Sequence, residues 1–328
     1  MKPFQFSYAA ALLAALAARG HAQSRSIAFV SNEGSHDVSV VDLEAGRAVA
    51  SIPLPGRARG IHLSPDNKRL YVATSDDNPR PASKANAIVV VDVATRKVVA
   101  THRAGSDPEQ FAITPDGRFI YASNEDGGTA TAIDAATGKH VATLVVGIEP
   151  EGVAVSPDGR WVVVTAETSN SLSVIDRQRN KVTSNLLVDL RPRAAAFSPD
   201  GSRIYVTAEI SGTLSVVDAR THTLVKTIPI DNGEAKPVGV AVSPDGKRVY
   251  VAGGWSGTLT VIDATTNRVV TSIPVGKRPW GVSVSKDGRY VYTANGMSND
   301  IAVVDAGTNK VIRRISVGNR PWGIALPR

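Results

Sequence analysis

The sequence contains no cysteine, and this absence excludes several kinds of chemistry. Without a thiol the chain has no disulfide bridge, no thiolate metal or iron–sulfur site, no cysteine nucleophile, no lipid on an N-terminal cysteine and no haem attached through C-x-x-C-H. The nucleophile-elbow, phosphate-loop and metalloprotease-helix motifs are also missing from the sequence. Any reaction here must therefore use oxygen and nitrogen groups.

Long hydrophobic runs are also scarce, and the longest lies at the N-terminus. Lys2 is followed by eleven apolar residues from Tyr8 to Ala18, and then by Gly20-His21-Ala22, with small residues at both positions that cleavage requires. A membrane-spanning helix needs about 20 such residues. The sequence therefore predicts a signal peptide over residues 1–22, a mature chain that begins at Gln23, and export to the periplasm without a membrane span.

The basic excess is small and spread along the chain. The sequence has 37 Lys+Arg against 30 Asp+Glu, and removal of residues 1–22 leaves 35 basic against the same 30 acidic residues. A nucleic-acid-binding surface would concentrate its basic residues on one face or along one helix. No nucleic-acid partner is therefore expected, and the exported protein is expected to be a monomer.

Internal repeats account for nearly the whole mature chain. A turn tetrad recurs six times, beginning at Ser64, Thr114, Ser156, Ser198, Ser243 and Ser285. An aspartate that follows an aliphatic residue recurs seven times, at Asp42, Asp92, Asp134, Asp176, Asp218, Asp263 and Asp305. This period of about 42 residues is typical of four-stranded propeller blades. The sequence therefore predicts an all-β fold, a single seven-bladed β-propeller over residues 23–328.

The phase of the repeat predicts how the ring closes. The mature chain opens in the second strand of a unit, at Ser26 to Ser31, and ends in the first strand of a unit, at Pro321 to Leu326. One blade must therefore combine strands from both ends of the chain, and this leaves no open sheet edge.

Two insertions, at Asp77 to Ala85 and before Pro237, fall on the same face of the ring, which we therefore expect to carry the function.

Several stretches resemble a known family. The YVTA stretch from Tyr205 and the YVAG stretch from Tyr250, together with the SPDG turns, resemble the bacterial YVTN-type β-propeller repeat. Longer stretches, such as DPEQFAITPDG from Asp107 and VGIEPEGVAVSPDG from Val146, resemble the exported β-propeller proteins associated with PQQ-dependent catabolism. This resemblance implies a periplasmic protein found beside quinoprotein alcohol oxidation. It implies no established activity for the propeller itself, and no cofactor is assigned from the sequence.

Charged and aromatic residues at equivalent repeat positions are the candidate ligand-binding residues. Three places in each blade are predicted to surround the mouth of the central channel. They are the residue just before the first strand, the residue two positions after that one, and the loop after the second strand. The candidates there are Arg191, Arg193, Arg278, Arg320, Trp280, Trp322, Glu109, Glu151, Glu125, Glu167 and Glu209. His62 is added because it alone among the histidines lies in an innermost strand.

Three interpretations of this mouth stay open. The arginines and tryptophans could bind a small anion, or the arginines could only pair with glutamates of neighbouring blades. The glutamates Glu109, Glu125, Glu151 and Glu167 could instead gather a hard cation such as calcium, although no contiguous calcium loop is present. No metal site and no catalytic residue are assigned.

The favoured functional hypothesis is a non-enzymatic propeller that binds a small anionic ligand or a partner protein, with a quinoprotein dehydrogenase as the partner that the resemblance implies. The alternative is a lactonase-like hydrolase that uses the carboxylates at the mouth for acid–base chemistry. A quinoprotein dehydrogenase in its own right is disfavoured, because such enzymes typically have eight blades and an adjacent-cysteine disulfide.

Overall fold

The computed structural model describes residues 27–78 and 83–327. The predicted signal peptide lies outside this part of the chain, as does a section of the inserted loop at Asp77 to Ala85. The described residues form 28 strands in seven four-stranded antiparallel sheets. The prediction of a seven-bladed β-propeller is confirmed.

The blades are numbered in the order in which their innermost strands follow around the ring from the C-terminal strand. The strands, innermost first, are for blade 1 β28 (Pro321–Ala325), β1 (Ile27–Asn32), β2 (Asp37–Asp42) and β3 (Arg47–Pro53); for blade 2 β4 (Arg57–Leu63), β5 (Arg69–Ser75), β6 (Ala87–Asp92) and β7 (Lys97–Arg103); for blade 3 β8 (Pro108–Ile113), β9 (Phe119–Asn124), β10 (Thr129–Asp134) and β11 (His140–Val145); and for blade 4 β12 (Pro150–Val155), β13 (Trp161–Ala166), β14 (Ser171–Asp176) and β15 (Lys181–Leu187).

The remaining strands are for blade 5 β16 (Pro192–Phe197), β17 (Arg203–Ala208), β18 (Thr213–Asp218) and β19 (Thr223–Pro229); for blade 6 β20 (Pro237–Val242), β21 (Arg248–Gly253), β22 (Thr258–Asp263) and β23 (Arg268–Pro274); and for blade 7 β24 (Pro279–Val284), β25 (Tyr290–Asn295), β26 (Asp300–Asp305) and β27 (Lys310–Ser316). Two short 3-10 turns cover Glu125–Gly127 and Asp231–Gly233.

The ring closes as the repeat phase predicts. β28, from the C-terminal end, pairs antiparallel with β1, and Val30 lies opposite Ile324. The Gly323 N–H donates to the Ser31 hydroxyl oxygen at 3.0 Å, which adds a side-chain bond to the ladder. Blade 1 therefore has no innermost strand without the last residues of the chain.

The core lies between neighbouring blades. Leu214 and Val216 of blade 5 pack with Val249 and Val251 of blade 6, and all four side chains are almost completely buried. β-Branched residues suit these faces because each sheet is covered on both sides by its neighbours. Burial of each such side chain contributes about 1.5–3 kcal/mol. Every blade thus depends on the blades beside it.

The turn tetrads stabilise the hairpin between the first and second strands. The Ser156 hydroxyl donates to Asp158 Oδ1 at 2.5 Å and accepts from the Trp161 N–H at 2.9 Å, while Asp158 Oδ1 also accepts from the Arg160 N–H at 3.0 Å. The bond from Ser156 is the main reason why the pKa of Asp158 lies below its usual value. These turns lie on the face opposite the inserted loops and need no functional explanation.

Both insertions are held against the rest of the ring. Asp77 of the first insertion lies 3.0 Å from His36 Nε2 of blade 1. In the second insertion, Asp231 accepts hydrogen bonds from Thr258 at 3.0 Å and from Ser272 at 2.5 Å, both in blade 6. The insertions therefore have a structural role in joining neighbouring loops.

No helix among the described residues is long and apolar enough to cross a membrane.

Candidate functional site

One face of the ring, here called the mouth face, carries the loops that lead into the innermost strands and the loops that follow the second strands. The last residue before the innermost strand is called the lead-in residue. Six lead-in residues have left-handed backbones, with φ from 45° to 59°: Asp107, Glu149, Arg191, Lys236, Arg278 and Arg320. This region costs a non-glycine residue about 1–2 kcal/mol. Charged side chains thus stand where glycine would be less strained, as is common at functional sites.

A cavity of about 800 Å³ opens at the centre of the mouth face. Its walls include most of the predicted site residues: Glu109, Glu125, Glu151, Arg191, Arg193, Arg278, Arg320, Trp280 and Trp322. Glu167 and Glu209 do not line it, but they contact the arginines that do. The structure therefore brings these predicted residues into one site, and their role in binding stays a prediction.

Arg193 lies at the centre of a buried ion-pair network on one side of the cavity. Its side chain is 7% exposed, and one of its terminal nitrogens contacts Glu151 at 3.0 Å and also contacts Glu167. Arg191 Nε lies 2.6 Å from Glu167 and 3.2 Å from Glu209. For these two arginines the pairing interpretation therefore describes the contacts, and their charges are already balanced within the protein.

Arg59 forms the matching network on the other side. Its Nε lies 3.2 Å from Glu33, and one terminal nitrogen contacts Glu109 and lies 3.7 Å from Glu125. The acidic lead-in segments of blades 3 and 4 are thus bracketed by arginines of blades 2 and 5. The lead-in residues are acidic in blades 3 and 4 and basic in blades 1, 5, 6 and 7, but ion pairs neutralise part of this separation.

Two of the four glutamates of the calcium interpretation, Glu109 and Glu125, lie in one cluster of carboxylates. Oxygens of Asp107, Glu109 and Glu125 lie within 4.8 Å of one another. Arg57 lies 3.2 Å from Asp107, however, and Arg59 contacts Glu109. A cation at this cluster would have to compete with two guanidinium groups, which already offset two of its three carboxylate charges. Glu151 and Glu167 belong to the separate Arg193 network.

Glu125 is a carboxylate at the mouth whose pKa lies well above its usual value. Burial, reinforced by the charge of Glu151, raises the pKa of Glu125 to about 7, and Arg59 opposes this only in part. A carboxyl with this pKa can accept or donate a proton near neutral pH. Glu125 is thus a candidate for acid–base chemistry at this site.

The two tryptophans form an aromatic wall. Trp280 is flanked by two guanidinium groups, with Arg193 Cζ 5.0 Å and Arg278 Cζ 4.8 Å from its ring centroid. Trp322 lies beside it, with the two ring centroids 6.2 Å apart and the planes inclined by 46°. These cation–π contacts hold Trp280 in place, and Trp322, which is 9% exposed, packs beside it in the same wall.

Arg278 and Arg320 differ from the other arginines of the cavity. Within residues 27–78 and 83–327, neither has a carboxylate within 4.0 Å. The backbone N–H of Arg320 donates to Asn299 Oδ1 at 2.9 Å, and Asn299 and Asn319 are exposed at the same edge of the cavity. The positive charge available to an anion is therefore concentrated here.

His62 does not line the mouth cavity but a second cavity, which it shares with the paired residues Glu151 and Arg193. This smaller cavity, of about 160 Å³, is also lined by Gln110 and Ser283. Its ring packs edge-on against Phe111, with centroids 5.0 Å apart. This packing supports a structural role for His62, and its predicted part in ligand binding remains a prediction.

Sequence reasoning missed three polar residues at this site. Asn299 and Asn319 border the mouth cavity, and Gln110 lines the smaller one. Gln110 could have been found by comparing equivalent positions of the repeat more widely. Asn299 and Asn319 lie in loops where asparagine is common for backbone reasons, so their sequence carries little functional signal.

Comparison with protein-family models gives two partial matches. Residues 189–313 match the model described as lactonase, 7-bladed beta-propeller, and residues 82–185 match the cytochrome D1 heme domain. Each match covers less than half of the chain, and the two cover different blades. A seven-bladed beta-propeller protein of Mycobacterium tuberculosis is 29% identical over 99 residues, which are 30% of this chain and 24% of that protein. The matched part thus spans about a quarter of that relative.

Solved structures agree over almost the whole ring. Hydrazine synthase from Kuenenia stuttgartiensis is similar with a TM-score of 0.76 at 22% identity, over 85% of this chain and 92% of that one. A putative 6-phosphogluconolactonase from Bacteroides uniformis is similar with a TM-score of 0.74 at 19% identity, over 92% and 99% of the two chains. At these identities the likeness shows the fold alone. The chain is a seven-bladed β-propeller whose blades resemble, in different parts, those of lactonases and of cytochrome D1 heme domains.

Proposed function

We propose that the protein binds a small organic anion in the mouth cavity. The observation that carries this proposal is the position of Arg278 and Arg320, which face the cavity without a carboxylate partner in the described part of the chain, beside Trp280 and Trp322. Arginine favours carboxylates and phosphates because its planar fork can donate two parallel hydrogen bonds.

The surroundings favour a flat ligand with several acidic groups. The cavity volume of about 800 Å³ lies within the range usual for small-molecule sites, about 300–1,000 Å³. Trp280 and Trp322 supply an aromatic surface, and Asn299 and Asn319 supply amide groups at its edge. Pyrroloquinoline quinone, a planar tricarboxylate, is the first probe because the sequence resemblance associates such propellers with its use. Export to the periplasm belongs to the same proposal and rests on the N-terminal sequence.

Calorimetric titration with pyrroloquinoline quinone, citrate and 6-phosphogluconate tests the proposal. The variant Arg278→Ala/Arg320→Ala is expected to lose at least about tenfold in affinity, since each lost charge-assisted bond contributes about 1.5–3 kcal/mol. Lys247→Ala/Lys286→Ala is the matched control, because it removes the same charge from exposed turns on the opposite face. The proposal fails if wild type binds none of the three anions, or if the mouth variant binds as tightly as the control.

A second candidate function is hydrolysis of a ring ester, favoured by the pKa of Glu125 and by the lactonase match over residues 189–313. The Glu125 carboxylate would accept a proton from water as the water oxygen attacks the ester carbonyl. The ring C–O bond would then break, and the leaving alkoxide would take back that proton to give a hydroxy acid. Arg278 and Arg320 would hold an acidic group of the substrate.

Assays with glucono-δ-lactone and 6-phosphogluconolactone separate the two candidates. Hydrolysis by the purified protein should rise with pH through about 7 and be lost in Glu125→Gln. Unchanged anion binding in Glu125→Gln, together with no lactone hydrolysis above the uncatalysed rate in wild type, would leave binding alone as the function.

A further inference from the structure

Five large apolar side chains are exposed on the mouth face, outside the ion-pair networks. They lie in loops of blades 4 to 7, and each is more than half exposed: Ile148, Leu190, Ile210, Trp255 and Met297. The Ile210 N–H donates to the Leu190 carbonyl at 3.2 Å, so the two residues that share blade 5 are neighbours. We call these five residues the apolar crescent.

The fold does not require apolar residues at these positions. Ile210, Trp255 and Met297 occupy the same place in the loop after the second strand, where blades 1 to 4 have Gly34, Asp76, Asp126 and Thr168. The same loop is therefore built equally well with small or acidic residues. Because exposed apolar groups that cluster on one surface are typical of interaction sites, the crescent needs an explanation other than folding.

Basic residues accompany the crescent on the same blades. Lys236, Lys277, Arg278 and Arg320 lie on the mouth face of blades 6, 7 and 1, and none has a carboxylate within 4.0 Å among the described residues. Asp76, Asp77 and Asp126 lie on the opposite side of the mouth. The mouth face is therefore basic at blades 7 and 1, where Lys277, Arg278 and Arg320 lie, while blade 6 carries Lys236 together with the exposed Glu234.

We propose that the apolar crescent and its basic neighbours bind a partner protein that presents acidic side chains flanked by apolar ones. The acidic groups of the partner would meet Arg278 and Arg320 at the edge of the cavity, while its apolar groups cover Ile210 and Trp255. Charge complementarity of this kind sets orientation and speeds association, and buried aromatic anchors supply much of the affinity. This inference goes beyond the proposed anion binding, because the crescent extends outside the cavity.

Two other possible binding partners, an anionic membrane and a second copy of this chain, match the charges of the mouth face less well. A flat anionic membrane would approach the whole mouth face and so would meet the carboxylates of Asp76 and Asp126. A second copy of this chain, placed mouth to mouth, would set the crescent either against those carboxylates or against another set of unpaired arginines and lysines. A partner protein can be shaped to cover the crescent and its basic neighbours alone, and we therefore favour it.

A phage-displayed library of random twelve-residue peptides, panned against the purified mature chain, is the probe. We expect enriched sequences that combine Asp or Glu with Leu, Phe or Trp. The synthesised consensus peptide should bind at least about tenfold more weakly to Ile210→Ser/Trp255→Ser, as expected for central apolar contacts. The control Val225→Ser/Val270→Ser changes exposed residues of outer strands and should bind within about twofold of wild type.

Several results would overturn the proposal. They are enrichment of peptides without acidic residues, equal binding to Ile210→Ser/Trp255→Ser, sedimentation with anionic lipid vesicles, or a concentration-dependent dimer that the same variant abolishes. Pyrroloquinoline quinone titrations on this variant separate the two proposals, because small-anion binding should be unchanged while peptide binding is lost.

Discussion

Replacing Arg193 by alanine tests whether the ion pairs at the mouth are structural. The Arg193 side chain is 7% exposed, and its partners Glu151 and Glu167 are also buried. Removal of the guanidinium leaves the buried Glu151 without its counter-ion and leaves Glu167 with Arg191 alone. Breaking a buried pair in this way costs about 3–5 kcal/mol. The cation–π contact with Trp280 is lost as well. We expect the free energy of unfolding to fall by about 3–5 kcal/mol.

Two further variants show whether the unpaired carboxylates cause this loss. The triple variant Arg193→Ala/Glu151→Gln/Glu167→Gln removes their charges and should recover at least about half of the lost stability. Arg203→Ala breaks a more exposed pair, in which Arg203 lies 2.8 Å from Asp218, and should cost less than about 1 kcal/mol.

Urea unfolding, followed by circular dichroism and by tryptophan fluorescence, measures all three variants. The reasoning would be refuted by a loss below about 1 kcal/mol for Arg193→Ala, or by a triple variant no more stable than the single one. A large loss would also mean that binding defects in Arg193 variants reflect damage to the site and cannot be assigned to a lost ligand contact.

Three other perturbations have clear expected outcomes. Deletion of residues 320–328 removes β28 and should lower the melting temperature far more than deletion of residues 327–328, because only the first deletion opens blade 1. Glu125→Gln should be more stable than wild type by about 2 kcal/mol at pH 8 and equally stable at pH 4. Folding raises the pKa of Glu125 from 4.5 to about 7, so the stability that protonated Glu125 gives the wild type below pH 4.5 is lost as the pH rises through 7. Asp218 has its pKa lowered to about 2, chiefly by the Thr221 N–H, so its contribution should be lost as the pH falls through 2, and Asp218→Asn should flatten that part of the acid-unfolding curve.

Each of these outcomes has a direct contrary result. Equal melting temperatures for the two deletions would contradict the closure by β28. A Glu125→Gln variant that parallels wild type at every pH would show that Glu125 is ionised normally in the folded protein. An unchanged acid-unfolding curve for Asp218→Asn would show that the turn bonds to Asp218 are equally strong in the unfolded chain. Differential scanning calorimetry across a pH series measures all three.

Much of the fold could be predicted because the repeat records it many times. The tetrads at Ser156 and Ser198 form the same pattern of hydrogen bonds in separate turns, so each copy supports the assignment of the others. The pairing of β28 with β1 followed from the phase of the repeat, since an unpaired innermost strand would leave an open edge. Strand ends differ from the expected ones by a residue, as at Asn32 and Ala325, because backbone bonding at an edge depends on the neighbouring loop.

The sequence by itself determined that charged and aromatic residues surround the mouth, because repeat position fixes which face a loop occupies. Only the tertiary structure decided which charges cancel. In the sequence, Arg193 and Arg278 are both arginines predicted to lie at the mouth. In the structure, Arg193 is buried among glutamates, whereas Arg278 stacks on Trp280 without a carboxylate nearby. Electrostatic pairing falls steeply with distance and depends on burial, so differences of a few ångströms between blades decide whether a charge is available to a ligand.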